Sequence, residues 1–418
     1  MKVFKFGGAS VKDAEAVKNV GEVVKNFPND SIMIIVSAMG KTTNKMEAIV
    51  DSYWNNTDEL ELLQDELKKF HLDICHDLFE ENHFIFTEIK EEFQNLKFKL
   101  NHSKSENYDF EYDQIVSFGE VISTKIISAY LNEMGLTSKW YDARKMVRTN
   151  HKYREGKVDW EQTEAHLEEV KQYLKTSKSI AVSQGFIGHT QEGCTTTLGR
   201  EGSDYSAAIF AYGLDAESVT IWKDVPGLLN ADPKYFDDTV KIDKISFKEA
   251  IELSYYGASV IHPKTIKPLQ NKEIPLYVKS FVNPKGEGTI IQSSIESDHL
   301  VPSYIFKMDQ VLISISPKDF SFIDEINLSN IFEMFSSNGI RINVMQNSAI
   351  NFSVCIDKSN NLQQLLDDLK VHYNVRYNSG LELITIRHHN DEIVKKLIDD
   401  RPVFLTQETR NTIRILIE

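Results

Sequence analysis

Two short apolar runs, residues 3–6 and 32–36, most restrict what this chain can fold into. Each is too short for a buried helix, and apart from Lys5 neither carries polar residues. Runs of this kind are strands covered on both faces. Between them Ala14, Val17, Val20, Val23 and Val24 recur at helical spacing. A strand, a helix and a second apolar strand make a parallel crossover unit. The runs 180–182 and 219–222 have the same character. The expected fold is an α/β sandwich with a mainly parallel sheet, extending to about residue 290.

Residues 45–100 differ. They are rich in Glu, Lys and Leu and poor in Gly and Pro, which predicts an inserted helical segment with a solvated charged face and no chemistry of its own. A break in composition falls at 283–288, Asn-Pro-Lys-Gly-Glu-Gly. Beyond it the pattern predicts a strand at 311–315, a helix at 328–335, strands at 343–346 and 351–356, and a helix at 362–369. This is a small ferredoxin-like arrangement. A further strand at 381–386, a helix at 392–398 and strands at 402–406 and 412–417 close the chain.

A net charge of −15 argues against a nucleic-acid or anionic-membrane partner, since both require a basic face. Cys75, Cys194 and Cys355 are far apart and form no CxxC pair, so no zinc site or disulfide framework is expected. No basic-then-apolar leader and no apolar stretch of membrane-spanning length occurs, so a cytoplasmic enzyme is the expectation.

Special residues gather where strands are expected to end. Lys5-Phe6-Gly7-Gly8-Ala9-Ser10 places glycines and a cation at the first strand end, where backbone N–H groups and a helix N-terminus can meet an anion. It is neither a P-loop nor a dinucleotide fingerprint, and a plain glycine turn also accounts for it. Ser37 to Asn44 brings hydroxyls to the second strand end, in the position of a ligand crevice or of a helix cap. Ser117-Phe118-Gly119-Glu120 offers one carboxylate, for a ligand ammonium or for a helix first turn. The densest region is Gly185-Phe186-Ile187-Gly188 followed by Thr195 to Ser206. In it Arg200 presents a planar fork, and Ser203 and Asp204 open a helix. Trp222 to Gly227 and Asn230 to Lys234 carry Lys223, Asp224, Asp232 and Lys234, residues suited to a nucleotide or to a Pro-Gly turn.

These motifs in this order, with the run Tyr256-Gly257-Ala258-Ser259-Val260-Ile261-His262-Pro263, resemble the aspartokinases of the amino-acid kinase family. The resemblance implies ATP-dependent phosphorylation of the β-carboxylate of L-aspartate, the first step toward lysine, threonine and methionine. It implies that Lys5, Gly7 and Gly8 face the ATP phosphates and that Asp204 orients Lys5. Ser37, Thr43, Glu120, Phe186, Arg200 and Ser203 line the aspartate pocket. Lys223, Asp224, Leu229, Asp232, Lys234 and Ser259 border the nucleotide. A β-carboxylate has a pKa of about 4 and needs no general base, so the chemistry is positioning and charge neutralisation with Mg²⁺ bound to ATP. No protein cage for the metal is expected.

Against the resembled pattern, Ala9 stands for a more frequent threonine, Glu201 for a frequent glycine, Leu229 for a tyrosine and Ser259 for a lysine. Lys264 is the nearby cation available to replace that lysine. Residues 1–290 are thus expected to be the catalytic domain, and 291–418 an ACT-like regulatory and dimerisation region with a first unit at 311–380 and a short second unit at 381–418. That second unit would take a strand from near 304–307. Met345, Asn347 and Ser348 are the effector-site candidates, and Asn343 stands where lysine-sensitive relatives often carry an aspartate. A homodimer of monofunctional chains is expected, with weak or absent feedback. A kinase for glutamate or acetylglutamate and a catalytically dead amino-acid sensor are the rival readings. The Arg200 loop with the ACT-like tail weighs against the first, and Lys5, Asp204 and Arg200 together against the second.

Overall fold

The computed structural model describes residues 1–102, 104–175, 179–258, 261–319, 321–398 and 400–418. Its contacts divide the chain into two units. The first comprises residues 1–228, 241–251 and 261–295, and the second comprises 229–240, 252–260 and 296–418.

The first unit is built on an eight-stranded sheet. In spatial order its strands are Lys244–Ser246, Thr289–Gln292, Leu276–Ser280, Ser218–Lys223, Lys2–Phe6, Ile32–Val36, Ile180–Gln184 and Ser138–Tyr141. Neighbours run parallel except Leu276–Ser280 with Thr289–Gln292. The expected α/β sandwich with a mainly parallel sheet is therefore present. Every residue of Ile32–Val36 and Ile180–Gln184 is buried, as strands covered on both faces require. The strands not signalled by apolar runs lie toward the sheet edges, and some of them, such as Ser138–Tyr141, are only partly buried.

Helix Ala14–Lys25 follows the first strand, with Asp13 as its N-cap accepting from the N–H of Ala16 at 2.8 Å. The helical stretch expected at 45–100 is longer than its sequence outline. It comprises Thr42–Asn55, Leu60–Leu78, Ile85–Leu100, Tyr108–Val116 and Phe118–Glu133. Its apolar faces join the sheet in one core, where Leu67, Ile74, Ile89, Phe93 and Leu96 are buried together with Phe4, Ile34 and Val182. Helix Gly202–Leu214 is buried along nearly its whole length, so it carries almost no polar face.

The second unit has a six-stranded antiparallel sheet in the order Ile342–Asn347, Phe352–Asp357, Ser303–Pro317, Tyr373–Arg387, Thr412–Ile417 and Val403–Glu408. Its two central strands are fifteen residues each. Residues 303–307 pair with 383–387, and after a bulge at 307–312 the strand pairs on toward residue 373. The division drawn at residue 381 in the sequence falls inside the strand Tyr373–Arg387. Helices Glu325–Ser337 and Leu362–His372 cover one part of this sheet through Ile331, Phe335, Leu365 and Leu369.

Among the described residues no helix is long and apolar enough to cross a membrane. Cys75 and Cys355 are buried free thiols, and Cys194 is a partly buried one.

Candidate active site

In the first unit Trp222, Phe6, Val36 and Gln184 sit side by side in register across four parallel strands. The loops that leave these positions therefore meet at one edge of the sheet, where ligands of open α/β folds bind. Gly8 follows the first strand so closely against the second loop that an added Cβ would lie 2.7 Å from the Gly40 carbonyl oxygen and 2.9 Å from that of Ala38. The Gly40 N–H donates to the Gly8 carbonyl at 3.0 Å. Only glycine permits this approach.

A cavity of about 840 Å³ opens there, lined among others by Lys5, Gly8, Ser37, Thr43, Glu120, Phe186, Arg200, Ser203 and Asp204. Lys5 Nζ pairs with Asp204 Oδ1 at 2.6 Å, with the two side chains 12% and 7% exposed. An ideal Cβ on Gly7 would lie 3.2 Å from Lys5 Nζ, so the glycine leaves the ammonium room. Asp204 stands in the first turn of helix Gly202–Leu214, whose N-terminus faces the same space.

Glu120 is 2% exposed. Burial pushes its carboxyl up to about 8, against backbone N–H donors at Glu120 and Ala38 that pull it down. Its Oε2 has no hydrogen-bond partner among the described residues. Gly119 lets the helix Phe118–Glu133 press onto the second loop, since a Cβ there would lie 2.9 Å from Thr42 Cγ2.

Phe186 holds φ +71, a left-handed conformation that costs a non-glycine residue ~1–2 kcal/mol. Its N–H donates to Ser206 Oγ at 2.8 Å, and its carbonyl accepts from Leu198 at 2.8 Å. Gly185 and Gly202 admit the packing, because a Cβ on either would lie 2.6 Å from Ser203 Cβ or Phe186 Cδ2 respectively. Glu201, at φ +54, also occupies the left-handed region, in keeping with the glycine frequent at that place in the resembled family. Its carboxylate accepts from the His262 N–H at 3.1 Å. Arg200 is exposed and has no ion-pair partner among the described residues. Lys264 Nζ lies 3.6 Å from an ideal Cβ on Gly199 and so belongs to the surroundings of this loop.

The other candidates fall elsewhere. Lys223 ends the strand beside Lys2–Phe6, and Asp224 is exposed on the turn after it. Neither is among the residues lining the cavity. Leu229, Asp232 and Lys234 are in the second unit, where the Lys234 N–H donates to Asp232 Oδ1 at 2.9 Å in an exposed turn. Ser259 lies outside the described residues. Of the effector candidates, Met345 lines a cavity of about 720 Å³ in the second unit, together with Tyr256, Phe335 and Arg414. Asn347 and Ser348 do not line it, and the Ser348 Oγ is closed in a turn with Asn351.

Sequence reading missed part of the wall. Glu47 comes from helix Thr42–Asn55, inside the stretch read as charged surface, and Asp109 and Tyr112 from Tyr108–Val116, which lies beyond that stretch and has no role read from sequence. Asp113, fully buried, accepts from Arg154 N at 2.9 Å and from Thr197 N and Oγ1 at 2.9 and 2.7 Å. Burial still raises its carboxyl to about 6. Asp109, Tyr112 and Asp113 share one short helix, but Glu47, Arg154 and Thr197 are distant from it in the chain and no motif links them, so no local signal could have found them.

A lysine paired to Asp204, a buried carboxylate with an unbonded oxygen and an exposed guanidinium thus share one cavity. A profile of the amino acid kinase family matches residues 1–280. The chain belongs to that family. It is 29% identical over 392 residues to lysine-sensitive aspartokinase 3 of Escherichia coli (strain K12), covering 92% of this chain and 86% of that protein. It is 32% identical over 365 residues to the chloroplastic aspartokinase 1 of Arabidopsis thaliana, covering 85% of this chain. The chain spans 63% of the length of that plant relative. Among solved structures, E. coli aspartokinase III in complex with lysine and aspartate superposes with a TM-score of 0.84 at 26% identity, covering 100% of this chain and 95% of that one. The same enzyme with aspartate and ADP gives 0.81 at 25%, covering 100% and 96%.

Proposed function

We propose that this chain is an aspartate kinase, which transfers the terminal phosphoryl group of ATP to the side-chain carboxylate of L-aspartate as the first step toward lysine, threonine and methionine. The observation that carries this reading is the buried Glu120 carboxylate with a free oxygen, in one cavity with Arg200 and the Lys5–Asp204 pair. A ligand ammonium satisfies Glu120, a ligand α-carboxylate satisfies the Arg200 fork, and the remaining carboxylate is the nucleophile. An N-acylated amino acid has no cation to offer Glu120, which weighs against an acetylglutamate substrate.

The nucleophile and the phosphate are both anions, so the chain's task is to hold them together. Lys5, aligned by Asp204, and the amides at Gly7 and Gly8 neutralise the transferring group, and Ser37, Thr43, Phe186 and Ser203 fix the amino acid. With Asp204 committed to Lys5 and Glu120 buried, the donor set fits a Mg²⁺ ion held by ATP oxygens and water. Bound there, the ion offsets negative charge on the phosphates. Lys223, Asp224, Leu229, Asp232, Lys234 and Ser259 remain the proposed nucleotide border, and the cytoplasm remains the proposed compartment.

ATP consumption measured in parallel with aspartate, glutamate and N-acetylglutamate tests this. Turnover is expected with aspartate. Turnover with N-acetylglutamate alone overturns the substrate, and aspartate binding without turnover makes the protein a sensor. Arg200→Lys keeps the charge and loses the fork, so aspartate binding is expected to weaken by roughly 1.5–3 kcal/mol with the KM for ATP unmoved. A rise in the ATP KM alone would put Arg200 in the other pocket.

The second unit is proposed to mediate a homodimer. Phe322 and Ile326 are 74% and 71% exposed, and Ile350 is 38% exposed on a loop whose Ala349 carbonyl accepts from Ile323. Light scattering is expected to give a dimer or larger, and a stable, active monomer excludes this. Feedback by lysine or threonine is expected to be weak or absent. The Asn343 amide is already engaged, accepting from Lys307 Nζ at 2.8 Å and donating to Gln310 and Asp357 at 2.8 and 3.0 Å. Half-inhibition by either amino acid at tens of micromolar is the result that contradicts it.

A further inference from the structure

Arg154 lies in the loop 150–157, which is closed at its base by a hydrogen bond from Asn150 N to the Lys157 carbonyl at 3.0 Å. It holds φ +62, a conformation that suits glycine and that arginine rarely adopts. The surroundings impose it. The Arg154 N–H is bound by buried Asp113, which also grips Thr197 through its N–H and its hydroxyl. The Arg154 carbonyl oxygen lies 3.2 Å from an ideal Cβ on Gly199, the residue before Arg200. Two arginines therefore spring from adjoining backbone, and both line the cavity that holds Glu120.

The side chain is also held. Its guanidinium centre lies 4.3 Å from the centroid of the Tyr112 ring, and the Tyr112 hydroxyl donates to Glu47 Oε1 at 2.7 Å. Nη1 is 3.5 Å from Asp109 Oδ1, too long for a firm hydrogen bond. The Arg154 side chain is 46% exposed. A guanidinium stacked on an aromatic face keeps its in-plane N–H donors available, and Asp109 takes up little of that capacity.

We propose that Arg154 is a specificity-determining residue of the kinase, meeting the α-carboxylate of the acidic amino acid together with Arg200. This rests on the aspartate-kinase reading. The cavity also carries Glu47, Asp109, Glu120, Glu155 and Glu201. Arg200 with Lys5 and Lys152 faces these acidic groups as a weak attractor for a net-anionic substrate with two carboxylates, and a second guanidinium strengthens the field at its entry. Asp113 acts through Arg154 as a positioning residue.

Arg154→Gly removes the guanidinium at a backbone conformation that glycine accepts, so the loop is expected to keep its path and the melting temperature to hold. The KM for aspartate is expected to rise about tenfold or more, with kcat and the KM for ATP within about twofold of wild type. Arg154→Lys retains the charge without the planar fork and is expected to fall between the two. It also supplies the measurement if the glycine variant does not fold. An unchanged aspartate KM in either folded variant overturns the role of Arg154, as does a change confined to the ATP KM. Wild-type turnover of aspartate in the same assay tests the kinase reading separately, since only the ratio of variant to wild type reports on Arg154.

Discussion

Replacing Lys5 with alanine is expected to lower kcat by about 10²–10³ with a modest effect on the aspartate KM. The ammonium is placed by three features: the strand end, the 2.6 Å pair with Asp204, and the absence of a side chain at Gly7. Its charge matters most when negative charge gathers on the phosphoryl group in flight, so the loss belongs to kcat. The same change leaves the Asp204 carboxylate, 7% exposed, without its partner. Breaking such a pair destabilises a protein, less here because the site opens to water. Lys5→Ala should therefore be compared with Lys5→Ala/Asp204→Asn. In the double variant the melting temperature is expected to recover and kcat to stay low. A folded Lys5→Ala protein with near-normal kcat would remove the lysine from the chemistry.

Glu120→Gln is expected to raise the aspartate KM by about 100-fold or more, because it removes the buried charge that meets the ligand ammonium. Its effect on the free protein has the opposite sign. With its pKa raised from 4.5 to about 8, the folded carboxyl holds its proton more tightly than the unfolded one. Stability of the free protein therefore falls as pH rises from about 4.5 to about 8, and the whole cost is present above that. The glutamine has no such cost, so its melting temperature is expected to exceed that of wild type at pH 8.5 and to approach it at pH 5. Aspartate binding at pH 7 must ionise Glu120 and release a proton. Titration calorimetry in two buffers of different ionisation enthalpy detects that release, which the variant should lack. Proton uptake on binding would show that Glu120 is not the ammonium's partner, and a variant no more stable than wild type at pH 8.5 would show that burial does not raise the Glu120 carboxyl.

The legible part of the site was the part carried by strand ends. Lys5, Ser37, Phe186 and Arg200 stand within a few residues of an apolar run or a glycine pair, so local pattern and the geometry of parallel sheets point to them together. Arg154, Asp113 and Tyr112 gave no such signal. A carboxylate on a short helix with no motif carries no sign of burial, and only the fold takes Asp113 to zero exposure against Thr197. The long strand Tyr373–Arg387 was half visible for a related reason. Its first eight residues are mostly exposed, so they lack the alternation that marks a half-buried strand, whereas 381–387 are nearly all buried. Leu229, Asp232 and Lys234 were assigned by motif order, but their segment is counted with the second unit.

The two fifteen-residue strands of that unit pair with each other along most of their length, and each also pairs with outer strands, Ser303–Pro317 with Phe352–Asp357 and Tyr373–Arg387 with Thr412–Ile417. The halves on either side of the bulge therefore have no seam between them. Unzipping the pair 303–307 with 383–387 leaves residues 383–387 held on one side only, by Thr412–Ile417, and the same strands continue into the sheet beneath helix Glu325–Ser337. What the sequence divides into a full module and a truncated one is therefore expected, in cooperative opening and in amide exchange, to respond as one unit.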